Sequence, residues 1–317
     1  MRRLVTWTAM MALVACSSTS SDDGSSSSGS SGGSPTDGGG ASSSSGTSGS
    51  SGSTGGTSGA SGSSGSSSGT SGSSGSSGDG GASKDGSTAA AGCAGSTHKL
   101  CEDFDTNNTD GAIPTGWQVL NGWNAGSTVI ASDQTHSGGH ALKSVSATTG
   151  QTRVKRSLAS LGATAGNHWG RIFYRVESAA PKPAQNQVIH STFVGLQGPT
   201  ESRVVDTVEN SAGKHQFLYN LPDDSCCTGS SYDYAYDGAW HCAEWHVDGT
   251  TESFRFFYDG KEVTSLAFSY GAGKGGAKIP AAYDFINVGW IDYQMPASAF
   301  TAWYDDLAID DAQIGCN

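Results

Sequence analysis

Residues 17–91 are almost entirely Ser and Gly and carry no aromatic side chain, whereas every Tyr, every Phe and every Trp except Trp7 lies beyond Cys93. Burial of apolar surface drives folding, so a core can form only in the second stretch. The Ser/Gly tract reads as a disordered tether with a root-mean-square span of roughly 50 Å. What remains, 92–317, is one domain of about 225 residues, a normal size for a sandwich that closes as a single unit.

The chain opens with Arg2 and Arg3, followed by an apolar run from Leu4 to Val14. That run is too short to span a bilayer and has the form of an export signal. It ends in Leu13-Val14-Ala15-Cys16, a lipobox pattern that makes Cys16 the lipidation site and residues 1–16 a lipoprotein signal peptide. Acyl chains on Cys16 anchor strongly, because each buried CH2 contributes about 0.8 kcal/mol. Ser17 after the cysteine favours the outer membrane, so the expected location is a bacterial cell envelope, with the membrane met through the lipid alone.

Beyond Cys93, apolar and polar residues alternate between turn signals, and no amphipathic helix emerges. The expected strands include Thr152 to Leu158, Trp169 to Glu177, Gln187 to Leu196, Arg203 to Val208, Gln216 to Asn220, Cys242 to Asp248, Phe285 to Tyr293 and Ala302 to Asp310. Asp259-Gly260 is a strong two-residue hairpin signal. The expected fold is all-β, a two-sheet concanavalin-like jelly roll with one concave sheet able to form a groove. Six cysteines remain after Cys16, which suggests up to three disulfides in an oxidising compartment. Terminal strands of a jelly roll lie side by side, so the expected partner of Cys316 is Cys93 or Cys101, and that of Cys242 is Cys226 or Cys227.

Charge is unevenly spread. From Lys143 to Lys214 there are nine Lys or Arg against four Asp or Glu, whereas 215–317 holds four against fifteen. Arg153 and Lys155 share one strand face, as do Arg171 and Arg175, so both pairs can line one basic surface suited to an acidic polymer. A net charge of −12 excludes nucleic acid as a partner. No nucleophile elbow, phosphate loop or histidine-rich metal spacing is present. Glu244 and Asp248 lie too far apart on one strand for a glycosidase pair. The aromatics Trp123, Tyr232, Tyr234 and Tyr236 can stack on sugar rings.

A series of motifs resembles the family of fungal cellulose-induced secreted proteins, a Cip-type jelly roll related to the glucuronan lyases of polysaccharide lyase family twenty. They are Glu102-Asp103-Phe104-Asp105, His136-Ser137-Gly138, Gly170-Arg171-Ile172-Phe173-Tyr174-Arg175-Val176, His190-Ser191-Thr192-Phe193 and Tyr219-Asn220 with Asp223-Asp224. Next come Trp240-His241-Cys242-Ala243-Glu244-Trp245-His246 and Asn287-Val288-Gly289-Trp290-Ile291-Asp292-Tyr293, and the series closes with Trp303-Tyr304-Asp305-Asp306 and Ile314-Gly315-Cys316. The resemblance implies a structural calcium held by Asp105, Ser137, His140 through its carbonyl, and one of Asp305 and Asp306, oxygen donors that suit this ion.

It also implies a polysaccharide groove, with His190, Arg203, Tyr219, Asp224 and Tyr293 as the catalytic set and Arg171, Arg175, Gln187 and Trp290 beside them on the substrate; Gln216 can add an amide donor, and the chain is expected to be a monomer. β-Elimination needs a cation for the uronate carboxylate, a base for the C5 proton and an acid for the departing oxygen. Arg203 or Arg171 fills the first role, and Tyr293 or His190 moves the protons. Two positions depart from the family pattern: Glu201 stands where it has histidine, and Thr207 where it has a glutamine-like residue. A carboxylate there would repel a polyuronate, so a non-catalytic carbohydrate-binding or structural surface lipoprotein is the alternative expectation.

Overall fold

The computed structural model describes residues 92–120, 126–146, 150–220, 228–271, 278–293 and 299–316. The expectations for Cys16, Trp123, Asp224, Cys226 and Cys227 fall outside them. Among the described residues, sixteen strands and two short 3-10 segments, Ala159–Ala165 and Thr264–Leu266, make up the regular structure. In chain order the strands are β1 (Leu100–Glu102), β2 (Gln118–Val119), β3 (Gly126–Ala131), β4 (Ala141–Ser146), β5 (Gly150–Ser157), β6 (Asn167–Val176), β7 (Val188–Gln197) and β8 (Glu201–Asn210). The second half has β9 (His215–Asn220), β10 (Thr228–Gly229), β11 (Trp240–Asp248), β12 (Ser253–Tyr258), β13 (Lys261–Glu262), β14 (Phe268–Ser269), β15 (Phe285–Asp292) and β16 (Thr301–Asp310).

They form two antiparallel sheets, the β-sandwich of a jelly roll. One follows β13-β12-β11-β6-β16-β4-β3, with β1 also on β16 and β14 on β12; the other follows β10-β9-β8-β7-β15-β5-β2. Alternation buries one face of each sheet against the other. Phe193 of β7 meets Tyr174 and Tyr304, Phe217 of β9 meets Phe256, and Tyr219 meets Phe254. Trp245 and Trp290 are fully buried in this layer. Asp259 and Gly260 both have positive φ, 48° and 74°, as the primed turn between β12 and β13 requires.

The terminal strands do lie together, β1 on β16 with Leu100 opposite Ile309, but the cysteines do not bridge them. Cys93 pairs with Cys101 and Cys242 with Cys316. The reason lies in the segment after β16. It crosses to β11, where the fully buried Glu244 carboxylate accepts the backbone N–H groups of Ile314 and Gly315 at 3.0 and 2.7 Å and the Gln313 amide at 3.0 Å. Cys316 is thereby set beside Cys242, and Glu244 has a structural task rather than a catalytic one. The two basic pairs also part company, since Arg153 and Lys155 belong to one sheet and Arg171 and Arg175 to the other.

Candidate functional site

The outer face of the seven-stranded sheet gathers the polar groups. On β7, Ile189 and Phe193 point into the core and His190 and Thr192 point out. On β8 simple alternation would put Arg203, Val205 and Thr207 on one face. A β-bulge between Arg203 and Asp206 inserts one residue relative to β9, so Val204 and Val205 are both buried in the core and Asp206 turns out beside Arg203.

His190 Nε2 lies 2.7 Å from Asp206 Oδ2, and the other Asp206 oxygen accepts the Thr192 hydroxyl at 2.5 Å. The Asn220 amide approaches the same pair, 3.4 Å from Asp206 Oδ2. An ionised carboxylate only accepts, so Nε2 carries the hydrogen and the lone pair of the neutral ring sits on Nδ1. Tyr293 follows β15, and its backbone N–H donates to the His190 carbonyl at 3.0 Å. The His190 and Tyr293 ring centroids are 4.7 Å apart, and the Arg203 guanidinium lies 4.4 Å above the Tyr293 ring. Burial pushes the Tyr293 phenol up to about 12, with the Arg203 charge pulling the other way. Tyr293 therefore holds its proton at neutral pH.

A second cluster adjoins the first. Arg153 Nη1 donates to Glu201 Oε1 at 2.5 Å and its Nη2 to Gln151 at 3.0 Å, while the Asn287 amide reaches Glu201 Oε1 at 2.8 Å. Glu201 Oε2 stands 3.9 Å from Arg203 Nε. This pair bridges β5 and β8 over two intervening strands, and glycine makes room for it. A Cβ on Gly195 of β7 would lie 2.3 Å from Glu201 Oε1; one on Gly289 of β15, where φ is 136°, would lie 2.4 Å from the Thr152 carbonyl oxygen and 3.2 Å from Arg153 Cγ.

Of the expected catalytic set, His190, Arg203 and Tyr293 come together here. Tyr219 does not, because its parity on β9 sends it inward against Phe254 and Phe268. Trp290 is likewise in the core, stacked on Phe300 and donating to Asp292 at 2.6 Å. Arg171 and Arg175 lie on the other sheet, over Phe173 and Trp303 respectively. Gln187 is exposed just before β7, and Gln216 shares the outer face in the row of His190 and Val208. Thr207 faces inward, its hydroxyl on Tyr236, so it is no groove position. Tyr234 and Tyr236 stack on His215 in the core layer instead of offering a sugar platform, and Tyr232 is exposed. Asp206 escaped the sequence reading altogether; its one signal was a carboxylate in the β-branched run Val204-Val205-Asp206-Thr207-Val208, where a buried charge demands a partner.

The expected cation residues meet just beyond the end of β1 and at the middle of β16. A bulge at Asp306, with φ 48°, lets both adjacent carboxylates turn toward the 136–140 loop. Asp305 Oδ2 accepts the backbone N–H groups of His136 and Ser137 at 2.9 and 3.1 Å, and Asp306 accepts the Ser137 hydroxyl and His136 Nδ1 at 2.6 Å each. Asp105 accepts the N–H groups of Gly139 and His140 at 2.8 Å, so His140 presents a backbone donor to it. Burial and the neighbouring Asp306 charge push Asp305 up to about 8. Among the described residues no three His, Cys, Asp or Glu side chains converge as a metal cage. The donor set that fits a hard cation is mixed: a Cβ on Gly92 would sit 3.1 Å from Ser137 Oγ, 3.6 Å from Asp103 Oδ2 and 3.7 Å from Asp306 Oδ1, so three oxygens from three segments surround one small space.

No family model matches the chain, and no curated protein matches it. Among solved structures, the chain is similar to the cellulose-induced protein Cip1 at 17% identity and a TM-score of 0.49, covering 69% of this chain and 100% of that one. An endo-β-1,4-glucuronan lyase from the fungus Trichoderma reesei is similar at 15% identity and a TM-score of 0.43, over 68% of this chain and 96% of the lyase. A carbohydrate esterase from the Shiga toxin-encoding bacteriophage phi24B is similar at 16% identity and a TM-score of 0.42, over 67% of this chain and 97% of the esterase. The first two carry the names of the family whose motifs the sequence resembles.

Proposed function

We propose that the protein is a polysaccharide lyase-like protein of the cell envelope, lipid-anchored through Cys16 and acting as a monomer, that binds a uronate-containing polysaccharide on the outer face of the seven-stranded sheet and cleaves it by β-elimination. The observation that carries this reading is the unbroken contact chain Arg203–Tyr293–His190–Asp206, all from one chain. Arg203 pairs with the uronate carboxylate and stabilises the charge that develops when C5 is deprotonated. His190, oriented by Asp206, takes the C5 proton. The C5 electron pair forms the C4–C5 double bond, the C4–O bond breaks, and the departing oxygen takes the phenolic proton of Tyr293. The raised Tyr293 pKa suits the acid and not the base. Asp103, Ser137 and Asp306 would hold calcium, which clamps the termini and takes no part in the chemistry.

The test is the ultraviolet absorbance of the unsaturated product when the full chain is incubated with polyuronates. His190→Ala and Tyr293→Phe are each expected to lower the rate by about 10²- to 10⁴-fold. Absence of product with every polymer tried, or undiminished rates in both variants, overturns the elimination. A binding-only reading is favoured by Glu201, whose carboxylate stands beside the guanidinium that must hold the substrate; it predicts retention on a glycan gel without product.

A further inference from the structure

The outer face of this sheet is not evenly basic, and its pattern names a class of polymer. Lys155, Asn287, Gly195, Arg203 and Asn220 are consecutive cross-strand partners, so they form one row running across β5, β15, β7, β8 and β9 with every member facing out. Lys155 and Arg203 lie three strand spacings apart, about 14 Å. Lys155 stands over the Phe285 ring, and Arg203 has a carboxylate no closer than the 3.9 Å of Glu201 among the described residues. Among the described residues neither is hydrogen-bonded to a carboxylate.

Between them the floor is neutral. The Arg153 and Glu201 side chains are only 5% and 11% exposed and cancel each other, while Gln151 and Asn287 supply amides. A carboxylate laid over this stretch would meet Glu201 with its own charge and find no uncommitted cation. Hydroxyl groups of a neutral sugar, in contrast, suit amides and the rim of an ion pair.

We propose that the site selects a polymer in which uronates are separated by uncharged sugars, and discriminates against a continuous polyuronate, with Glu201 as the specificity-determining residue. This rests on the reading of the same face as a polysaccharide site. The probes are two β-1,4-glucans of equal length, one oxidised to the carboxylate at every C6 and one oxidised at alternate sugars. Retention of the full-length protein is measured in affinity gels containing each polymer at one fixed salt concentration. Affinity for the alternating polymer is expected to exceed that for the continuous one about tenfold.

Glu201→Gln frees Arg153 as a third cation and is expected to bring the ratio close to unity by strengthening the continuous polymer. Lys155→Met, at the open end of the row, is expected to weaken the alternating polymer several-fold while the melting temperature holds. Equal or tighter binding of the continuous polymer, a ratio that Glu201→Gln leaves unmoved, or retention of neither polymer overturns the inference. Product formation separates it from the elimination reading. A selective ratio without product removes the lyase and leaves the charge pattern standing, whereas product made faster from the continuous polymer does the reverse.

Discussion

Glu209 and His215 are directly opposed on β8 and β9 and both face inward, 3% and 1% exposed. Burial pushes Glu209 up to about 7, against the pull of the Lys182 charge, and drives His215 down to about 3, with His241 and Lys214 adding to the effect. Each group is therefore neutral in the fold over much of the range where its unfolded form is charged. For Glu209 the folded value exceeds the unfolded one, so its favourable contribution is complete at low pH and is lost as pH rises toward 7. For His215 the sign reverses: stability declines as pH falls from about 6.5 toward 3. The two slopes oppose each other in the wild type, so a difference measurement is needed. Relative to the wild type, Glu209→Gln is expected to gain in melting temperature from pH 5 to about pH 7 and to level off above it, and thermal melts at matched ionic strength read that gain. A difference that does not vary with pH would show that Glu209 is solvated as an ordinary surface carboxylate.

The strands carry these residues to their faces, and the element scale also shows where alternation misleads. Gly195 of β7 illustrates the dependence of the site on backbone. Gly195→Ala sets a methyl group against Glu201 Oε1, so the Arg153–Glu201 bridge must move or break. The expected cost is roughly 1–3 kcal/mol, read as a lower denaturant midpoint, together with weaker glycan retention; an unchanged midpoint and retention would mean the bridge does not need that space. Most strands were legible because their patterning has period two and their turns carry Gly and Asp. The short pieces β1, β2, β10 and β14 were not, since two or three residues hold no period. Faces were legible only until the first bulge. On β8 the extra residue between Arg203 and Asp206 reversed the parity and hid Asp206, while Thr207, given its groove role by the motif resemblance, faces inward. Tyr219 and Trp290 sit on strands read correctly, yet an aromatic residue alternating in phase with Phe217 or Val288 belongs to the core, and the motif resemblance overrode that signal.

At the scale of the whole molecule the topology brings distant parts of the sequence together, and each meeting is fastened. Antiparallel pairing sets β1 on β16, the Cys93–Cys101 bridge closes a loop of 8 residues beside that strand, and Cys242–Cys316 closes one of 74. In the loop-entropy account the longer closure contributes more, about 4 kcal/mol against about 2. Neither bridge holds β1 to the 136–140 loop, where the Asp103, Ser137 and Asp306 oxygens gather around Gly92. A cation there would bind the folded chain alone, because the three segments are far apart in sequence. Stabilisation by a ligand exclusive to the native state reaches about 2.7 kcal/mol at a hundredfold excess over its dissociation constant, and a domain of this size gains about 2–4 °C per kcal/mol. Calcium added to chelator-treated protein is therefore expected to raise the melting temperature by about 5–10 °C, with a smaller rise from magnesium, whose demand for near-ideal octahedral geometry a mixed carboxylate and hydroxyl set meets poorly. Asp306→Asn removes a carboxylate charge from this cluster while keeping its shape, and is expected to abolish most of the calcium response. A wild-type melting temperature that ignores calcium would leave the Asp305–Asp306 pair as a hydrogen-bond hub for His136 and Ser137.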